Sequence, residues 1–235
     1  MEFVNYAHRG ASQYAPENTM MSFYLGLHMG ANGIETDIHK TKDGVLMLFH
    51  DDTLERVTGQ NGSICDYTLA EIQQFLVYKN NLMDKIPTFE DFLQHFAFRD
   101  IVFAIELKQS DVYRETADLI YQYGIQHKTV ITSFKYEEIL KMRQYAPELE
   151  TGYLTSSVTE ELLTDMKNKG ITELCPKADL LTEENVAYWH SLGFRVRAWG
   201  VANEEIMKKA FDCGVDGMTV NFPDKLTAYM KENEK

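Results

Sequence analysis

Along the chain, short apolar runs rich in β-branched residues alternate with longer stretches whose apolar residues recur at helical spacing. From residue 101 the alternation is regular. IVFAIELK (101–108) predicts a strand and 111–123 a helix. TVITSF (129–134) is followed by a helix over 136–145, ETGYL (150–154) by one over 159–169, and TELCP (172–176) by one over 182–192. FRVRAW (194–199) precedes a helix over 203–213, and VDGMTVN (215–221) precedes one over 224–233. Upstream, FVNYAH (3–8) predicts a buried strand. A loop containing Pro16 follows, then a helix over 18–29 with Asn18 as N-cap and Gly30 past its end, and then a strand from Gly33. The strand starts at 3, 33, 101, 129, 150, 172, 194 and 215 make eight βα units. Short apolar strands in strict alternation with helices form a parallel sheet covered on its faces, and eight units in this length close into a (β/α)8 barrel.

Residues 52–98 break the alternation. Turn signals stand at Gly59 and Asn61-Gly62, one helical piece starts near Thr68, and a second helix occupies 88–98, each opened by a capping box. The segment at about 52–87 is expected to be an insertion that walls or covers a site. Residues 1–235 are then one barrel domain carrying that insertion.

Between Gly33 and Asp51 lies GIETDIHKTKDGVLMLFHD, with Asp43-Gly44 between two strand-like runs. Asp-Gly in that setting is a strong hairpin signal. With Asp43 and Gly44 as the two loop residues, Lys42 pairs with Val45 and Asp37 stands opposite His50. Glu35 lies two residues before Asp37 and so shares its face.

Charge sharpens the picture. The net charge of −13 disfavours nucleic acid and anionic membrane as partners, so an anionic substrate needs a local cation. The three cysteines, Cys65, Cys175 and Cys213, have no C-x-x-C spacing, which fits free thiols in a reducing compartment. The opening Met-Glu-Phe-Val-Asn carries no basic n-region or apolar h-region, and no run reaches membrane-spanning length. The cytoplasm is the expected compartment, with no stable membrane insertion.

In barrels of this kind the chemistry gathers at the C-terminal ends of the strands. Strand one delivers His8 and Arg9 there. Strand two delivers Glu35 and Asp37, and its hairpin returns His50. The third barrel strand delivers Glu106 and Lys108, two apart and so on one face. Strand seven ends at Trp199 and strand eight at Asn221. Each residue alone has an ordinary explanation: a satisfied polar histidine, a structural ion pair, solvated acids. Seven of them on one rim point to a site. Three carboxylates without a thiolate suit Ca²⁺, Mg²⁺ or Mn²⁺. Arg9 and Lys108 beside such a centre call for a bridging anion such as phosphate. His8 and His50 suit an acid/base pair. Trp199 can stack on an apolar part of a substrate. His39 lies close enough to support the patch.

The chain resembles the glycerophosphodiester phosphodiesterase family in His8-Arg9-Gly10, Pro16-Glu17-Asn18-Thr19, Glu35-Thr36-Asp37, Thr41-Lys42-Asp43-Gly44, His50-Asp51, Glu106-Leu107-Lys108, Ser133-Phe134 and Gly214-Val215-Asp216-Gly217. The resemblance implies a barrel with a small insertion after its second strand. Glu35, Asp37 and Glu106 would then ligate one divalent ion, Mg²⁺ or Ca²⁺. His8 and His50 would be the catalytic acid and base, and Arg9 and Lys108 would hold phosphate. The substrate would be a small-molecule glycerophosphodiester, such as glycerophosphocholine or glycerophosphoethanolamine, split into glycerol 3-phosphate and an alcohol. Such an activity belongs to lipid and glycerol metabolism, and it leaves room for a homodimer. Two places depart from the family pattern. Its Trp-Thr-Val-Asn is Trp199-Gly200-Val201-Ala202 here, and its Thr-Asp is Val220-Asn221. Both are expected on the substrate side of the rim. The rival assignment is a lysophospholipase D or sphingomyelinase D-like enzyme on the same barrel, which needs an apolar mouth. The insertion holds Phe75, Leu76, Val77, Tyr78 and Leu82 but also Lys79, Asp84 and Lys85, which favours a soluble diester.

Overall fold

A computed structural model describes residues 3–233. Its strands are β1 (Val4–His8), β2 (Gly33–Lys40), β3 (Leu46–Leu48), β4 (Leu76–Lys79), β5 (Leu82–Lys85), β6 (Val102–Leu107), β7 (Thr129–Ser133), β8 (Glu150–Thr155), β9 (Glu173–Pro176), β10 (Arg195–Val201) and β11 (Gly217–Val220). Eight of them run parallel, from β1 through β2, β6, β7, β8, β9 and β10 to β11, and β11 pairs back onto β1. The sheet therefore closes into a TIM barrel without a free edge.

Helix entry is written in the sequence. Thr159, Thr182 and Asn203 each accept a hydrogen bond from the backbone N–H three residues on, and each is followed by two glutamates. Those acids face the positive end of the helix dipole. The first helix starts one residue later than the sequence predicts. Thr19 caps Met20–His28, while Asn18 takes a φ of +54° and turns its amide inward.

Two apolar clusters fill the space between barrel and helices. One centres on Phe23, Phe92, Phe96 and Phe103, the other on Leu174, Trp189, Val196 and Met207. Phe92 is fully buried and meets Phe23 and Phe103 edge-on, at 4.9 and 5.7 Å between centroids. Burying one such ring stabilises the fold by ~1.5–3 kcal/mol. Inside the barrel, Val4, Tyr6, Ala104 and Val130 form a small apolar layer. Beside it lies a buried ion pair, Arg197 Nε to Glu173 Oε2 at 3.2 Å.

The β2–β3 hairpin differs from its expected register by one residue. Lys40 pairs with Leu46 and Ile38 with Leu48, and the Phe49 N–H donates to the Asp37 carbonyl. Asp37 therefore stands opposite Phe49, not His50. The loop holds three residues, Lys42 to Gly44. Thr41 N–H donates to the Val45 carbonyl, Gly44 N–H donates to the Thr41 carbonyl, and Gly44 has φ +89°. A left-handed glycine closing a three-residue loop is the alternative that Asp-Gly also allows.

The segment after β3 holds more structure than expected. It contains the helices Glu55–Thr58 and Leu69–Ile72, a 3-10 turn Ile64–Asp66, and the antiparallel β4–β5 hairpin. Leu69–Ile72 is the helical piece expected after Thr68, with Thr68 and Glu71 forming its capping box, whereas the single turn Glu55–Thr58 has no side-chain cap and too little periodicity to be seen in sequence. Leu54, Val57, Ile64, Ile72, Val77 and Ile86 pack with Met47 and Phe49 in a cluster of their own. Among the described residues no helix is long and apolar enough to cross a membrane.

Candidate active site

Three neighbouring strands set the centre. In the parallel register His8 on β1 pairs with Glu35 on β2, and Asp37 on β2 pairs with Glu106 on β6. Side chains two apart on one strand share a face, so these four point into the same end of the barrel. Glu35, Asp37 and Glu106 are 3%, 0% and 7% exposed, and each offers an oxygen within 4.8 Å of the others'.

The turn after β1 brings in Arg9. Gly10 has φ +79°, and a Cβ there would lie 2.3 Å from the Ser22 backbone, so only glycine lets this turn press against the first helix. Arg9 itself sits at φ +54°. Its N–H donates to Glu35 Oε2 at 3.1 Å, its Nη1 donates to Glu17 at 2.9 Å, and its Nε lies 3.3 Å from Asp37 Oδ2. Asn18 Nδ2 donates to the same Asp37 oxygen at 2.8 Å, and its own carbonyl accepts from Thr36 Oγ1. Asp37 Oδ1 is buried and has no hydrogen-bond partner in the protein.

Lys108 donates to Glu106 Oε1 at 2.9 Å and lies 3.2 Å from His50 Nε2. His50 Nδ1 is 2.7 Å from Asp51 Oδ1, and His39 Nε2 is 3.3 Å from the His50 carbonyl. Thus His50 reaches the site despite the shifted register. It lies beyond the end of β3, where strand alternation no longer decides its direction. Asp51 in turn is gripped by Arg56, and Arg56 also holds Glu17.

On the other side, His8 Nδ1 is 2.6 Å from Asn221 Oδ1, which also accepts from Ser12 Oγ at 2.9 Å. An oxygen that accepts from Ser12 assigns the proton of the imidazole to Nδ1. His8 Nε2 then faces Glu35 Oε2 at 3.8 Å. Asn221 is therefore not confined to the substrate side, as the sequence suggests: it touches one of the two rim histidines.

The charges are strained by burial. Burial, then Asp37 and Glu106, push the Glu35 carboxyl well above the usual range. Burial and Asp37 raise Glu106 to about 7. Asp37 goes the other way: burial would raise it, but Arg9 leads the cations that hold it below the ordinary value. Burial and Arg9 bring His8 down to about 4. For Glu17, burial would raise the carboxyl, but Arg56 and Arg9 take it down to about 2.

Beside this centre lies a cavity of about 410 Å³ lined by His50, Glu106, Lys108, Phe134 and Lys135. Phe134 stands 5.8 Å from Lys108 Nζ and meets Trp199 edge-on at 4.8 Å. Trp199 Nε1 donates to the Thr155 carbonyl at 3.2 Å. Gly200 follows at φ +73° in a bulge of β10, a conformation that explains the glycine there. A second cavity, about 470 Å³, opens at the opposite mouth among Val4, Val102, Val130 and Arg195, at the starts of the strands and away from the carboxylates.

All seven rim residues predicted from sequence come together, with Trp199 joined to them through Phe134. Three partners are not visible in the sequence: Asn18 for Asp37, Arg56 for Asp51, and Asn221 for His8. The Asn18 contact crosses from another turn, and Arg56 reaches Asp51 five residues back at a spacing that no regular element sets.

Three oxygen donors converging around an unpartnered buried carboxylate oxygen fit a small hard cation. Two histidines and two cations flank that point, an arrangement able to bind a phosphoryl group and move protons on two sides of it.

The family model described as "Glycerophosphoryl diester phosphodiesterase family" matches residues 8–225. A glycerophosphodiester phosphodiesterase of Bacillus subtilis (strain 168) is 32% identical over 93% of this chain and 83% of its own length. One of Bacillus altitudinis is 31% identical over 97% and 98%. Among solved structures, an Oleispira antarctica phosphodiesterase in complex with the product sn-glycerol-3-phosphate superposes with a TM-score of 0.88. It is 23% identical and covers 97% of this chain and 96% of that one, a likeness of fold.

Proposed function

Because the chain belongs to the glycerophosphoryl diester phosphodiesterase family and is an enzyme of that class, we propose that it hydrolyses soluble glycerophosphodiesters with one divalent ion. Mg²⁺ or Ca²⁺ is the metal, and glycerol 3-phosphate and an alcohol are the products. The single observation behind this is the convergence of buried oxygens of Glu35, Asp37 and Glu106 within 4.8 Å of one another, in a cluster where Asp37 Oδ1 has no protein partner and Lys108 donates to Glu106. We take residues 1–235 as one catalytic domain with an insertion at about 52–87, and the cytoplasm as its compartment. The free thiols Cys65, Cys175 and Cys213 support that compartment.

In this proposal Glu35, Asp37 and Glu106 hold the ion, which when bound supplies positive charge to a phosphoryl oxygen. Lys108 and Arg9 bind the remaining phosphate oxygens. Lys108, held by Glu106 and beside His50 Nε2, lines the cavity next to the centre, whereas Arg9 is held by Glu17 and Asp37. His8, neutral at pH 7 with Nε2 bare, takes the proton of the nucleophile. His50, with the Asp51 carboxylate behind Nδ1, carries a proton at Nε2 to the leaving alkoxide. Trp199 and Phe134 present a wall to the glycerol or head group.

The cluster predicts proton linkage. Glu35 and Glu106 have raised values, so in the folded site they keep protons to a higher pH than in the unfolded chain, and a cation must displace them. Mg²⁺ or Ca²⁺ should bind more tightly at pH 8 than at pH 6 and release protons as it binds. Calorimetry in buffers of different ionisation enthalpy checks this. Equal affinity at both pH values with no proton release would contradict it.

Head-group tolerance follows from the departures on the rim. Gly200 and Ala202 are exposed and carry no side-chain donor. A pocket that does not pair a substrate's hydroxyls discriminates weakly among analogues. The kcat/KM values for choline, ethanolamine and glycerol diesters should fall within ~10–100-fold of one another. A strong preference for one head group would refute the open pocket, and a preference for a long-chain lysophospholipid would move the assignment to the lipid-cleaving rival.

A further inference from the structure

A chain of alternating charges runs around the rim. Asp37 faces Arg9 at 3.3 Å, Arg9 donates to Glu17 at 2.9 Å, and Glu17 receives two bonds from Arg56 at 2.7 and 2.8 Å. Arg56 continues to Asp51 through Nε and through Nη2 at 3.0 Å, and Asp51 meets His50 Nδ1 at 2.7 Å. The chain thus links a proposed metal ligand to a proposed acid/base group. Arg56 comes from outside the barrel, on the short helix Glu55–Thr58.

We propose that Arg56 is a positioning residue for His50, acting through Asp51, and that it ties the segment after β3 into the catalytic machinery. Three features carry this. The guanidinium uses Nε, Nη1 and Nη2 to hold two carboxylates at once, a geometry that a planar fork supplies and an ammonium does not. The helix that carries it is anchored: Leu54 is fully buried, Val57 packs in the same cluster, and Thr58 Oγ1 donates to the Leu54 carbonyl at 2.7 Å. Asp51 is the partner of the His50 nitrogen that faces away from the site, so its placement fixes where Nε2 points.

Arg56 shares Glu17 with Arg9, and Arg9 keeps Glu17, Asp37 and Glu35 as partners when Arg56 is lost. The metal ligands keep their own partners, Lys108 on Glu106 and Asn18 on Asp37. The effect of losing Arg56 should therefore appear in the proton-transfer step and not in metal affinity. The inference rests on the role proposed for His50, and the test separates the two.

Arg56→Lys and Arg56→Ala are assayed in the full-length protein with glycerophosphocholine, beside wild type and Asp51→Asn. Loss of a group that orients a catalytic residue through another typically costs ~10–100-fold. Both Arg56 variants should lose kcat by that range, with KM changed far less and Mg²⁺ affinity by calorimetry unchanged. Ethylguanidinium in solution should restore part of the Arg56→Ala loss, because the side chain is half exposed and its site stays open. Combining Arg56→Ala with Asp51→Asn should add little to the Asp51→Asn loss, since both break one link. A second readout does not depend on turnover. The His50 Nδ1–H resonance of histidine-labelled protein should exchange with water at least about tenfold faster in Arg56→Ala than in wild type, as a loosened hydrogen bond requires. Wild-type kcat in Arg56→Ala, a loss fully additive with that of Asp51→Asn, or an unchanged Nδ1–H exchange rate would overturn the inference. An inactive wild type with Arg56-dependent exchange would leave Arg56 in place and remove the proposed reaction instead.

Discussion

His8→Ala and His50→Ala should each lower kcat by ~10²–10⁴-fold, the range for losing a general acid or base. The two histidines are held differently, so the expectation has structure. His8 rests on Asn221, a neutral acceptor, and burial with Arg9 brings it down to about 4. His50 is backed by the Asp51 carboxylate and its Nε2 meets Lys108. Removing either side chain leaves the carboxylate cluster intact, so metal affinity should persist while turnover collapses. The double variant should lose far less than the product of the single losses, because both groups serve one transition state. Steady-state kinetics with circular dichroism as a fold check decides the matter. Single variants that change only KM, or a double variant near the wild-type rate, would remove the pair from the mechanism.

Substituting the carboxylates should abolish metal binding and turnover, with opposite consequences for stability. Glu35 carries a carboxyl that burial and two neighbouring acids push well up, so Glu35→Gln removes repulsion and should leave Tm unchanged or higher. Asp37 has the opposite character. It is the partner of Arg9 Nε and Asn18 Nδ2, and Asp37→Ala leaves a guanidinium and an amide facing an empty site. Breaking one half of a buried ion pair costs on the order of 3 kcal/mol, so Asp37→Ala should fold with a lowered Tm. Calorimetric metal titration beside thermal unfolding checks both. Undiminished metal affinity in either variant, or a Tm that falls for Glu35→Gln and not for Asp37→Ala, would contradict the assignment of these groups.

The barrel was legible because its strands announce themselves locally. TVITSF and ETGYL are apolar runs between helical stretches, and the strands Thr129–Ser133 and Glu150–Thr155 follow them nearly residue for residue. The rim was legible for a related reason. Glu35 and Asp37, or Glu106 and Lys108, are two apart, and a strand then decides their common face. Register was not legible. Asp43-Gly44 serves a two-residue loop and a three-residue loop equally well, and the difference moves Asp37 from His50 to Phe49. The β4–β5 hairpin was hidden as well, although Asn80 at φ +54° occupies its turn. Its strands are short and only Val77 is buried, so alternation is faint. The partners that orient the site lay furthest from view. Asn221 meets His8 across a separation of 213 residues and Arg56 meets Glu17 across 39. Such contacts depend on barrel closure and on how the segment after β3 docks. Arg9, proposed to hold phosphate, also meets Glu17 and Asp37, contacts that strand alternation does not reveal.

The most direct measurement is the release of glycerol 3-phosphate from glycerophosphocholine by purified protein, before EDTA treatment, after it, and after return of Mg²⁺ or Ca²⁺. The proposed site predicts turnover that EDTA abolishes and one of the two ions restores, with glycerol 3-phosphate and choline formed in equal amounts. Full turnover with EDTA present, or no glycerol 3-phosphate with either ion, would contradict it.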